Sequence, residues 1–146
     1  MRRCRVYVER YGWTVWAYFA KSTYYADEIM ANLRRIGVRG ENAHTAYLNM
    51  TNNAVDMGLT YSNYAMRESV MVVGMTSDAR EFLNSFVHEL GHLTAQICEA
   101  LGIDHMGEEK QYLAGGMAMR MYDAVKDMLC GDYHCVTDDF CARVSG

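Results

Sequence analysis

The chain has 146 residues and a formal net charge of −4, with 51% hydrophobic and 22% charged residues. This composition fits one globular domain with a substantial core and excludes an intrinsically disordered chain. The negative charge argues against a general attraction to nucleic acid or to anionic membranes, and no apolar run approaches the ~20 residues that span a bilayer. The N-terminus lacks the continuous apolar stretch of a signal peptide, so we expect a cytoplasmic protein whose five cysteines are reduced.

The first half of the chain predicts two strands, two helices and a loop. Residues 5–9 and 14–19 are rich in β-branched and aromatic side chains, and a hairpin turn is expected between them. Ser22 or Thr23 can cap a helix that Gly37 ends, and a shorter helix is expected over residues 42–50. Residues 52–63 are rich in turn-forming side chains and predict a loop.

The second half predicts one strand and two long helices. Residues 70–73 are continuously apolar, which indicates a strand over residues 67–74 that is buried on both faces or lies at a covered edge. Asp78 and Glu81 have the spacing of a capping box, so a helix should begin near Asp78 and end at Gly102. A last helix spans residues 108–129, and a short irregular tail follows from residue 130. The elements predict a single α+β domain in which a small mixed or antiparallel sheet packs on helices.

The first long helix carries His88-Glu89-Leu90-Gly91-His92, an H-E-x-x-H motif. Residues four apart lie above one another on a helix, so the two imidazoles can bind one metal ion while Glu89 reaches a water on it. Both histidines project roughly opposite the apolar stripe that this helix should bury. That stripe consists of Leu83, Phe86, Val87, Leu90, Leu93, Ile97 and Leu101. The motif predicts a Zn²⁺ site, and the alternative is a pair of solvated surface histidines.

A catalytic zinc ion normally has three protein ligands and one water, and the motif supplies two of the ligands. Glu108 opens the last helix, and antiparallel packing of that helix would carry its first turn back beside the motif. We therefore favour Glu108 as the third ligand, with Glu109 and His105 as alternatives. Acidic residues in a first helical turn also favour the helix dipole without any metal.

A second group of potential zinc ligands lies at the end of the chain and comprises Cys130, His134, Cys135 and Cys141. Their spacing does not match the usual paired C-x2-C units of a structural zinc site. Free thiols are therefore favoured over a second metal, and a disulfide would require an oxidising compartment.

The motif helix followed by Glu108 resembles the gluzincin branch of the zincin-like metallopeptidases. The layout over roughly residues 55–129 resembles small zincin-like proteins of phages and mobile elements; it runs through GLTYSN, RESVMVVG, VHELGHL and YLAGGMAMRMY. The resemblance implies a minimal zincin-like fold, a glutamate as third ligand, and the cytoplasm of the host cell as the location. It also implies that the strand over residues 67–74 forms the sheet edge against which an extended substrate lies. Position 98 is Cys, so the third histidine of the metzincin branch is missing.

Together these features predict a zinc-dependent metallopeptidase that hydrolyses peptide bonds. Glu89 would act as general base and later deliver the proton to the leaving amine. Tyr112, His105 and Tyr61 are candidates for the donor that stabilises the oxyanion, and Tyr112 is taken as catalytic.

The alternative function is a catalytically inactive protein-binding module with the same fold, encoded by a phage or mobile element. The expected partner is a protein or peptide substrate, without nucleic acid or membrane. A chain this short has little room for a deep cleft, so a second copy or another protein could complete it.

Overall fold

The computed structural model describes residues 1–130, which form one four-stranded sheet and four α-helices. The strands are β1 (Arg2–Val8), β2 (Trp13–Phe19), β3 (Gly58–Asn63) and β4 (Glu68–Val73). The helices are α1 (Ala26–Arg35), α2 (Gly40–Thr51), α3 (Ala79–Leu101) and α4 (Glu108–Cys130). The strand order is β1-β2-β4-β3, with a parallel β2–β4 pair between two antiparallel pairs. The predicted α+β class with a small mixed sheet is confirmed.

The sheet separates two hydrophobic cores. Side chains such as Phe19 and Met71 face α3 and α4 on one side, whereas Tyr18 and Val72 face α1 and α2 on the other. Successive residues of a strand point to opposite faces, so a strand covered on both faces needs apolar side chains throughout. This explains the unbroken apolar run of residues 70–73 and confirms its predicted burial on both faces.

Two predictions about the sheet edge are wrong. Residues 58–63, which were expected in a loop, form β3 and pair with β4 from Gly58 opposite Val73 to Asn63 opposite Glu68. β4 lies between β2 and β3, so its backbone groups are used on both sides and it cannot be the edge that receives a substrate. In the described part of the chain the edge strands are β1 and β3, and β3 is the one that packs against α3.

The ends of α3 lie where the sequence places them. The carboxylate of Asp78 accepts a hydrogen bond from the backbone N–H of Glu81 at 2.9 Å, and Gly102 ends the helix in the left-handed conformation at φ 66°. The capping prediction fails at α1, which begins at Ala26 after Tyr25, with no side-chain cap from Ser22 or Thr23.

The buried stripe of α3 differs in part from the predicted one. Leu83 and Val87 are 48% and 58% exposed, while Phe82 is buried against Phe19 and Phe86. α3 packs on β3 and β4 along one flank and on α4 along the other. The side of the helix that carries Phe82 and Glu89 is therefore buried.

α4 follows after a short turn and packs on α3 and β1, and its predicted extent is confirmed to within one residue. None of the helices in residues 1–130 is long and apolar enough to cross a bilayer.

Candidate metal centre

His88 and His92 lie one helical turn apart on the exposed face of α3, where their Nε2 atoms are 3.1 Å apart. The two ring planes are nearly perpendicular, at 83°. Two nitrogen ligands at 2.0–2.1 Å from one tetrahedral ion would be separated by about 3.3–3.4 Å. A shift of a few tenths of an ångström would therefore fit the pair to a zinc-sized ion.

Glu89 is only 5% exposed although its side chain is polar. Its side chain lies on the flank of α3 that faces the edge strand β3, where the Thr60 hydroxyl donates a hydrogen bond to Oε1 at 3.2 Å. A Cβ atom on Gly58 would lie 2.9 Å from both Cδ and Oε2 of Glu89, so the lack of a side chain there makes room for the carboxylate. Gly58 and Thr60 thus hold the Glu89 carboxylate in one place.

The ligand atoms of His88, Glu89 and His92 all lie within 4.8 Å of one another, and this group could hold a metal ion. It is the one group of three or more such side chains found at this spacing among residues 1–130. The two histidines offer neutral nitrogen ligands, while the hydrogen-bonded carboxylate lies close enough to take a proton from a water between them.

The structure does not bring the three expected third ligands into this group. Glu109 accepts a hydrogen bond from the Tyr11 hydroxyl at 2.6 Å and pairs with Arg10 at 3.3 Å. Glu108 lines a groove of about 410 Å³ beside Tyr11, and His105 is exposed in the turn before α4. α3 continues for nine residues beyond His92, roughly 13 Å, before the chain turns back, so the first turn of α4 is displaced from the histidines.

The expected oxyanion donors also lie elsewhere. Tyr112 is 76% exposed and lines the same groove as Glu108. Tyr61 packs against the core beneath α1 and α2, on the face of the sheet opposite α3.

Sequence reasoning missed the contribution of β3 to the site. Thr60 and Ser62 face α3, where Ser62 donates a hydrogen bond to Gln96, whose amide in turn donates to the backbone carbonyl of Thr60 at 3.0 Å. The available signal was the alternation of small residues at positions 58, 60 and 62. Such a strand face lets a helix approach closely.

The structure describes Cys98 and Cys130, but not the rest of the predicted group of zinc ligands at the end of the chain. Cys98 is fully buried on α3, as expected of a small apolar residue, and burial raises the pKa of its thiol. Cys130 is exposed at the end of α4. His134, Cys135 and Cys141 lie outside the described residues, so the choice between free thiols and a second zinc site stays a prediction.

The chain was compared with known proteins at three levels. No protein-family model, no curated protein and no solved structure matches it. Its function is therefore inferred from its own geometry.

Proposed function

We propose that the chain is a zincin-type, zinc-dependent metallopeptidase that hydrolyses a peptide bond beside His88 and His92. The observation that carries the proposal is the pair of imidazole nitrogens 3.1 Å apart with a buried carboxylate within 4.8 Å of both. A charged side chain that is 5% exposed needs specific partners, and Glu89 has one in Thr60.

His88 and His92 would hold the zinc ion. When bound, zinc makes a water molecule more acidic and polarises the carbonyl group of a substrate. Glu89 accepts the proton of the attacking water and passes it to the leaving amine. Thr60 and Gly58 fix the position of the Glu89 carboxylate, which saves reorientation during the proton transfer.

β3 supports the proposal because it supplies an open sheet edge next to the motif. Its outer backbone groups can pair with an extended peptide, which would lie alongside Glu89.

Two histidines form a weaker site than the usual three protein ligands. We therefore expect zinc to be removed by chelators more readily than from a three-ligand centre. This also leaves room for water at the site, which hydrolysis requires.

The test compares zinc content and peptide cleavage in the wild-type protein, His92→Ala and Glu89→Gln. We expect one zinc per chain in wild type and Glu89→Gln, little in His92→Ala, and cleavage of a complex peptide mixture by wild type alone. Cleavage by Glu89→Gln at the wild-type rate would refute the proposed mechanism. Zinc that survives His92→Ala would place the metal elsewhere.

The second candidate function is a protein-binding module without turnover. Leu83 and Val87 on α3 favour the protein-binding module, because these apolar side chains are about half exposed and offer a partner an apolar surface. A zinc-loaded protein that cleaves nothing in the mixture, and whose affinity for a partner falls in Leu83→Ser/Val87→Ser, would support the module over the peptidase.

A further inference from the structure

A cavity of about 360 Å³ lies against the start of the motif, with His88 of the histidine pair in its wall. His88 and Glu89 form one end of it, and the other walls come from the first turns of α3 and from the loop before β3. Its volume is within the range of pockets that bind small ligands or side chains. Because it shares two residues with the proposed catalytic group, a substrate bound there would place a side chain in this cavity.

Two carboxylates face the cavity, Asp56 from the loop and Glu81 from α3. Among residues 1–130 neither carboxylate takes part in a hydrogen bond or an ion pair, whereas the neighbouring carboxylate of Asp78 does both. Asn84 and Ser85 add further hydrogen-bonding groups to the wall. The cavity therefore offers uncompensated negative charge and polar acceptors.

The spacing of the residues that line the cavity favours a long side chain. Glu81 and His88 are seven residues apart on α3, which is roughly 10 Å along the helix axis. A ligand anchored near the histidines reaches Glu81 only with an extended stem that ends in a donor. Lysine and arginine have such stems, and their charged ends complement the carboxylates.

We propose that the pocket formed by Asp56, Glu81, Asn84 and Ser85 binds a lysine or arginine side chain of the peptide, next to the bond that is cleaved. The inference rests on the proposed peptidase function and names its substrate class. Asp56 and Glu81 are then the residues that determine specificity, while His88 and Glu89 serve the reaction itself.

The experiment measures the binding of three hydroxamate-capped dipeptides to the zinc-loaded protein by calorimetry. The residue next to the hydroxamate is lysine, norleucine or glutamate, so the series changes charge at nearly constant length. The variant is Asp56→Asn/Glu81→Gln, which removes both charges and keeps the side-chain shapes. Asparagine suits position 56 because the backbone there has a φ of 55°, which asparagine tolerates. Zinc content and thermal unfolding verify that the variant is intact.

We expect wild type to bind the lysine compound at least about tenfold more tightly than the norleucine compound, and the variant to lose this preference. Equal binding of lysine and norleucine, tighter binding of glutamate, or a lysine preference that survives in the intact variant would overturn the pocket assignment. Absence of binding by all three would overturn the metal site and the pocket together. A lysine preference without cleavage of any peptide would refute the peptidase and leave the pocket standing.

Discussion

Gly58→Ala tests whether the edge strand positions the proposed general base. The added Cβ atom would lie 2.9 Å from Cδ and Oε2 of Glu89, well inside the 3.5–4.0 Å of an ordinary contact. The backbone at Gly58 has a negative φ, so alanine itself causes no strain there. The carboxylate must therefore move, and we expect this shift to weaken or break its hydrogen bond with Thr60.

The expected loss of stability follows from three contributions. Overpacking costs about 1–3 kcal/mol, and loss of a hydrogen bond to a charged group costs about 1.5–3 kcal/mol where the carboxylate finds no new partner. Replacing a strand glycine by alanine stabilises the protein by about 0.5–1 kcal/mol, which offsets part of this loss. We expect a net loss of about 1.5–5.5 kcal/mol in the free energy of unfolding. Turnover should fall about 100-fold or more, because general-base catalysis contributes about 10²–10⁴-fold.

The assay combines denaturant unfolding, zinc content and peptide cleavage. Zinc content should stay at the wild-type level, because His88 and His92 face solvent and not β3. Gly91→Ala is the matched control: apart from its chain neighbours and the adjacent backbone of α3, no atom lies within 4 Å of its Cβ position, so it should stabilise α3 by about 1 kcal/mol. Wild-type stability and turnover in Gly58→Ala would refute the view that this strand confines Glu89.

Three further predictions concern the third ligand, a partly buried thiol and a crowded glycine. Glu108 lies in the groove beside Tyr11, so Glu108→Gln should leave the affinity for zinc within about threefold of wild type. Competition with a chelator measures this affinity, and a large drop would restore Glu108 as a ligand. Burial raises the pKa of the Cys4 thiol to about 11, so at pH 8 iodoacetamide should label it far more slowly than exposed Cys130, by peptide mass mapping; equal rates would contradict its burial. Gly74→Ala should cost about 3 kcal/mol or more in denaturant unfolding, because its Cβ would collide with the backbone carbonyl of Met57; a wild-type midpoint would contradict this close approach.

The sequence predicts best what local interactions decide. Asp78 caps α3 with a bond to a backbone group three residues away, and Gly102 ends it through its own backbone conformation. The H-E-x-x-H spacing likewise needs only a helix to place His88 and His92 together. These features depend on neighbouring residues, so the rest of the chain is not needed to predict them.

The errors concern features that distant segments decide. The composition of residues 58–63 suits turns, and they form a strand because β4 pairs with them. Leu83 and Val87 follow the helical period as closely as the buried residues of α3 do. Only the positions of β3 and α4 decide which of these side chains are buried. The position of Glu108 likewise depends on how far α3 extends past His92 before the chain turns, and its role as a ligand stays a prediction.

The central parallel pair of strands also bears on how the chain folds. β1 with β2 and β3 with β4 are hairpins between neighbouring segments, whereas the β2–β4 pair joins Thr14 to Glu68, 54 positions away. Closing so large a loop costs entropy before any contact compensates for it, so we expect this step to limit the folding rate. α3 docks on the second hairpin, and Thr60 meets Glu89 only 29 positions away. The histidine pair and its carboxylate can therefore assemble before the two halves of the sheet join.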